Sequence, residues 1–412
     1  MSETPAHVLR GLHDPATIRR RCRAILAAVD DGVSPHFKVE RSGLPALADR
    51  VAALTRGRYP DLAVPLHSRW RHFEAGGIDR PRQLDALLAG RSAADAARAR
   101  FDLTLISVLL DAGAGAAWSY AEPGTGLKLA RSEGLGVASW HGFIGGRFSA
   151  DPADPLRADA ARLEVIGPGA LRELFQAGSA NPLVGLDGRA GLLARLGAVL
   201  RTEAGSVTAR PSLIYDRLTD GGTRTEVSAT ALLGELLRTL APIWGGGSRI
   251  RGLPAGDVWP HRWAGAATGS GEDGGTGGYV PFHKLSQWLA YSLIEPLQRS
   301  GVHVTGIEAL TALPEYRNGG LLIDGGVVVP RAAHALERSW RPGDEFVVEW
   351  RALTVALLDE LAPLVRQRLD APDLPLACIL EGGTWAAGRE IARERRPGGA
   401  PPLKIESDGT LF

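Results

Sequence analysis

Apolar residues in this chain recur every third or fourth position, and that period limits what it can fold into more than any single motif does. Ile18 to Val29, Leu44 to Leu54, Ala93 to Leu110, Ala158 to Leu163, Leu171 to Ala177 and Gly188 to Leu200 all follow it. Coiled as helices, these segments each gain one apolar face. Ala, Leu and Arg dominate them and are good helix formers, whereas β-branched alternation is confined to short pieces such as Val327 to Val329 and Phe346 to Val348. The pattern predicts a mainly α fold with few short strands. It argues against a phosphoribosyl transferase, which needs a mainly parallel sheet. No acidic pair with a Thr-Gly phosphate loop follows a buried strand either.

With 412 residues, 44% of them hydrophobic, the chain can bury a large core, expected as a single helical domain over residues 1–412. Breakers fall at Gly113 to Gly115, Pro152 to Pro155, Gly245 to Gly252 and above all Ala264 to Gly278. The last reads as a surface loop and is where a subdomain break would fall. Its Gly269-Ser270-Gly271-Glu272-Asp273-Gly274 matches a dinucleotide-binding glycine pattern in form only. No strand precedes it, no helix begins within it, and it lacks the ending of a phosphate-binding P-loop.

Forty-seven basic residues against 46 acidic ones leave a formal charge of +1, so no global field draws the chain to nucleic acid or a membrane. The longest apolar runs, such as Leu103 to Leu110, are too short to span a bilayer, and no signal-peptide pattern opens the sequence. A cytoplasmic location is expected. Cys22 and Cys378 are too few for a disulfide framework or a thiolate metal site, though they leave room for one bridge. Neither a metal nor another cofactor is expected, and the partner is read as a small molecule.

Several segments concentrate polar chemistry. His67-Ser68-Arg69-Trp70-Arg71-His72-Phe73-Glu74 mixes donors, aromatics and a carboxylate. The spacing of His67, His72 and Glu74 is no common zinc pattern. Anion or sugar recognition suits it better, because arginine forks fit phosphate and aromatic faces fit a planar ligand. A solvated basic turn is the plain alternative. Phe101 to Ala112, with Asp102, Thr104, Ser107 and Asp111, reads as core, while Ser132 and Glu133 read as the cap and first turn of a helix. Phe346 to Ala352 opens a long periodic helix in which Glu349 either pairs with Arg351 or holds an arginine elsewhere. In Leu380 to Gly388, glycines allow close backbone approach. Between Val280 and Gly326, a cation and a carboxylate flank core-like sequence: Phe282-His283-Lys284-Leu285-Ser286-Gln287-Trp288 is followed by Pro314-Glu315-Tyr316-Arg317-Asn318. Such charges are costly to bury unless paired or used.

Read in order, His67 to Gly77, Arg131 to Leu135, Phe282 to Trp288, Leu313 to Gly320, Glu349 to Val355, Glu381 to Gly388 and Ser407 to Thr410 resemble the family of the fourth protein of the URC route of uracil catabolism, across nearly the whole chain. The resemblance implies a route in which uracil is activated as a nucleotide, its ring is opened and a ribosylated urea has to be cut. More distantly, Phe282-His283-Lys284-Leu285-Ser286-Gln287 and Glu315-Tyr316-Arg317 are similar to the Phe-Tyr-Lys-x-x-Gln and Asp-Tyr-Arg motifs of the queuosine-salvage N-glycosidases, whose helical fold is like that of DNA glycosylases. Leu171 to Leu193 and Glu349 to Leu361 follow that family's segments in the same order. The similarity implies a carboxylate role for Glu315 at the glycosidic carbon and a sugar-phosphate contact for Lys284. Here Glu replaces Asp, and the family's Trp-Asp pair reads Trp385-Ala386, which leaves that aspartate's role to Glu381 or to no residue.

The residue types suit the reaction. Breaking a carbon–nitrogen bond at a ribose anomeric carbon passes through an oxocarbenium-like state that a fixed carboxylate stabilises while it deprotonates water. Glu315 would do this, and His283, Arg317 or His67 would serve the departing urea. Lys284 with Arg69 or Arg71 would hold a 5′-phosphate, giving binding energy remote from the cut bond. Trp70, Trp350, Glu381, Trp385 and Asp408 complete the expected binding groups. The sequence thus predicts an N-glycoside hydrolase acting on a ribosylurea or its phosphate. The alternative is a non-catalytic helical protein that binds a nucleotide or an intermediate of the same route.

Overall fold

The computed structural model describes residues 9, 11–111, 113–115, 117–265 and 276–406. It is mainly α, with short strands that pair only in twos among the described residues. The described chain divides into two compact units. The first holds residues up to His67, Ser248–Gln287 and Ile307–Glu406; the second holds Ser68–Gly247 and Trp288–Gly306. The glycine-rich 264–278 loop falls within the first unit's second segment, and its Gly269 to Gly274 pattern lies outside the described residues.

In the first unit the helix Glu345–Leu369 packs against the helices Pro15–Asp30 and Leu44–Arg58. Val347, Leu353, Leu357, Leu361 and Val365 are fully buried along it, which is why so long an apolar period stays ordered. Phe346 to Val348, alternating like a strand in sequence, is the first turn of this helix: Val347 and Val348 both donate to Asp344, just ahead of it. Packing on both sides of the helix overrides β propensity. Asp14 starts Pro15–Asp30 by accepting the Ala16 N–H at 2.9 Å, with proline at the first helical position. Val328–Pro330 pairs antiparallel with Phe37–Val39, and Val258–Pro260 with Tyr279–Pro281. Cys22 and Cys378 are both buried and free, so the bridge the sequence leaves room for does not form.

The second unit contains the helices Ala93–Leu109, Arg131–Ile144, Leu186–Ala204 and Ala229–Leu240. Ser92 and Ser228 cap two of them by accepting the Asp95 and Ala231 N–H groups, each at 3.1 Å. Ser132 lies inside Arg131–Ile144, two residues past the cap position at Ala130, and so does not cap it; Glu133 does sit in the first turn. Phe101 to Leu110 is core, and its Asp102 carboxylate is satisfied by the Ala158 and Ser212 N–H groups and by Arg210. The helix Lys284–Arg299 gives residues 284–287 to the first unit and 288–299 to the second. No helix is long and apolar enough to cross a membrane among the described residues.

Candidate functional site

Within the first unit, Glu315 sits where Leu313-Pro314 leads into the helix Asn318–Asp324. One carboxylate oxygen accepts the Arg317 N–H and the other the Asn318 N–H, each at 2.7 Å. The side chain therefore fills the role of a helix cap, satisfying donors that a helix start leaves open. Burial pushes its pKa above the ordinary carboxylate value, while the two N–H groups and the charges of Lys284 and Arg317 pull it back. The residue as a whole keeps intermediate exposure.

Lys284, which helps hold Glu315 ionised, opens the helix Lys284–Arg299 and is only partly exposed. The chain's other lysines, Lys38, Lys128 and Lys404, are all exposed. His283, just before it, adopts a left-handed backbone with φ 47°, rare for a residue with a side chain. The His283 ring is buried and its Nε2 lies 3.0 Å from the Leu12 carbonyl, an acceptor, so Nε2 carries the proton. Burial first, then the neighbouring His13, lower its pKa to about 4. Arg317 is buried too: its guanidinium donates to the Gly399 carbonyl at 3.2 Å and lies over the Tyr316 ring.

A second carboxylate group forms where the helix Leu376–Ile379 passes through a π-helical turn, Leu380–Thr384, into Trp385–Arg395. Such turns often mark functional positions because they redirect side chains. Glu381 in this turn is buried and meets His67 Nδ1 at 2.8 Å, Arg58 at 2.9 Å and the Tyr59 hydroxyl at 3.3 Å. Trp385 is half-buried, with the His67 ring 6.4 Å from its centroid and Arg389 over its face. This turn joins the Glu315 helix directly: Thr384 donates to the Asn318 side chain at 2.9 Å. Gly388 lies against the Arg317 carbonyl so closely that no Cβ fits between them.

The remaining expected groups do other work. Trp350 is fully buried and donates to the Gly319 carbonyl, bracing the Glu315 helix from the core side. Arg69, Trp70 and Arg71 belong to the second unit, where Arg69–Phe73 is a short helix instead of a solvated turn. Arg69 is completely buried, donating to the Ser107 hydroxyl and carbonyl, the Ser132 carbonyl and Asp111. Trp70 donates to the Ser292 carbonyl, and Arg71 bridges Glu74 and Glu295. His67, His72 and Glu74 thus have separate partners: His72 meets Arg69 at 3.0 Å, and Glu74 meets Arg71. Asp408 lies outside the described residues.

Asp257, absent from the sequence expectations, and Arg351, named there only as a partner for Glu349, lie in the first unit as well. Asp257 and Arg351 form a buried pair in which both carboxylate oxygens accept from the guanidinium at 2.7 Å. Glu349, the neighbour expected to pair with Arg351 or with another arginine, instead accepts from Ser34 at 2.5 Å and faces His261. The only hint of Asp257 in the sequence is an acid among the apolar residues of Ala255 to Val258.

These features define a mainly α protein with a desolvated carboxylate, Glu315, under the electrostatic influence of Lys284. The chain belongs to the DUF1688 family, described as a protein of unknown function, whose model matches residues 11–412. It is 37% identical over 423 residues to Protein urg3 of Schizosaccharomyces pombe, covering 100% of each chain. It is 35% identical over 429 residues to Uracil catabolism protein 4 of Lachancea kluyveri, covering 96% of this chain and 97% of that one. The resemblance read from the motifs and these matches agree on the family.

Proposed function

We propose that this chain is an N-glycoside hydrolase of uracil catabolism that cleaves ribosylurea or its 5′-phosphate to urea and ribose or ribose phosphate. The observation that carries the proposal is the Glu315 carboxylate, desolvated, fixed by two backbone N–H groups and within the field of Lys284. The name of one full-length relative, Uracil catabolism protein 4, supports the pathway.

In this reading Glu315 lies against the anomeric carbon. As the carbon–nitrogen bond breaks, its electron pair moves to the urea nitrogen and positive charge grows on the sugar, which the carboxylate stabilises. Water adds to that carbon and Glu315 takes its proton. The departing nitrogen needs a proton in turn. His283 is a poor source, since its ring is neutral and its one N–H is held by the Leu12 carbonyl. Arg317 cannot give one up, because a guanidinium stays charged. His67, its Nδ1 held by Glu381, is therefore assigned the acid role, with Trp385 as the platform for the planar urea. Lys284 takes the sugar-phosphate side.

Incubating purified protein with ribosylurea and with its 5′-phosphate, while free urea is measured, tests the assignment. Wild type releases urea from at least one, and Glu315→Gln lowers the rate by about 10³-fold, the order expected for a general base. No urea from either compound would sink it. The cap geometry of Glu315 favours one rival, a protein that binds the intermediate without cutting it. That rival requires tight binding with no turnover by wild type.

A further inference from the structure

We propose that the Asp257–Arg351 ion pair is the positioning device of this site, setting the separation of Lys284 from Glu315; the inference rests on the proposed role of those two residues. The pair reaches both sides. Asp257 Oδ2, besides accepting from Arg351, accepts the Lys284 N–H at 3.0 Å, while the Asp257 carbonyl accepts the His283 N–H at 3.2 Å. One residue thus clasps two consecutive N–H groups at the start of the Lys284 helix, including that of the left-handed His283. On the other side, Arg351 Nε donates to the carbonyl of Pro314, the residue immediately before Glu315.

The arrangement is fully engaged. Trp259 Nε1 donates to Asp257 Oδ1 at 2.7 Å, and the Arg351 guanidinium lies 4.2 Å from the centroid of the Phe282 ring. Both charged groups are buried, where removing one partner strands the other. A merely stabilising salt bridge has no need to contact the segments carrying two proposed functional groups. This pair contacts both through their backbones, and a guanidinium fork fixes direction as well as distance. The strain of His283 fits the same purpose, because an unfavourable backbone persists only where the surroundings hold it.

The test reads the coupling of Lys284 to Glu315 without relying on turnover. The Glu315 carboxyl band is identified by infrared difference against Glu315→Gln and titrated, with and without Lys284→Met. In the wild-type background, removing the lysine raises the midpoint, as loss of an opposite charge does. In Asp257→Asn/Arg351→Met, which removes both charges together and so avoids an unpaired one, that shift falls to less than a third. Arg351→Lys, keeping the charge without the fork, gives a similar fall and serves if the double variant does not fold. An undiminished shift in either folded variant overturns the positioning role. Urea release by wild type is scored separately, so failure of the hydrolase reading is distinguishable from failure of this one.

Discussion

Arg69 in the second unit and Glu315 in the first are both charges placed in desolvated surroundings, and the sequence points to both as functional. Arg69 is surrounded by acceptors on nearly every guanidinium nitrogen, with Trp288 against its face. Burial lowers its pKa, and Asp111 and Glu133 act to restore it. Among the described residues Glu315 is satisfied by local backbone N–H groups and a neighbouring field, and the residue keeps intermediate exposure. The contrast separates two uses of a buried charge. Long-range partners close around Arg69, as around a charge that fixes a fold, whereas Glu315 is held by local ones and the proposed function has it react.

The largest effect that would break this comparison is on turnover. Glu315→Gln is expected to lose about 10³-fold in urea release and to melt at a lower temperature than wild type, because an amide accepts only one of the two backbone N–H groups that the carboxylate holds. The raised pKa of Glu315 adds a pH dependence to wild type: the ionised form is less favourable in the folded state, so stability present at low pH is lost as pH rises through the folded value. A lower melting temperature with unchanged turnover would make Glu315 a cap and nothing more. Arg69→Met is expected to lose about 3–5 kcal/mol by guanidinium chloride unfolding, the usual cost of stranding buried partners, with kcat per folded molecule within about threefold of wild type. A selective loss of kcat would move Arg69 into the site.

Smaller effects sharpen the contrast. Lys284→Met is expected to shift the acid limb of kcat/KM upward, since Glu315 loses the charge that lowers its pKa, and to raise KM more for a phosphorylated substrate than for its nucleoside. Equal KM changes for the two would remove the lysine from the phosphate. Asp257 offers the smallest pH-linked difference. Burial would raise its pKa, but Arg351 and the surrounding donors hold it at about 2 against an ordinary 3.8. Its stabilising contribution is therefore complete above pH 3.8 and lost as pH falls toward 2, up to about 2 kcal/mol. Asp257→Asn should flatten the acid-unfolding profile in that window, and an unchanged profile would show that the pair is not formed in solution.

Much of the fold was legible in advance because helices carry their signal locally. Leu44 to Leu54 and Ala93 to Leu110 fall within a residue or a turn of the observed Leu44–Arg58 and Ala93–Leu109. The exceptions are equally local. Phe346 to Val348 has strand-like residues, yet the buried helix Glu345–Leu369 absorbs it, and Ser132 has cap chemistry two residues too far along. Of the site, Lys284 and Glu315 were legible as charges beside apolar sequence. Arg69 was legible in the same way, and nothing near it in sequence reveals that Ser107 and Asp111 enclose it.

The sequence by itself therefore determined the helical class, the family and the stretch that carries Lys284 and Glu315. Tertiary structure alone decided which charge answers which. Asp257 meets Arg351 across 94 positions, and Ser34 reaches Glu349 across 315. Apolar period is a property of neighbours three and four residues apart, so it survives in one dimension. Charge pairing depends on which helices pack together, and that is set only when the core closes.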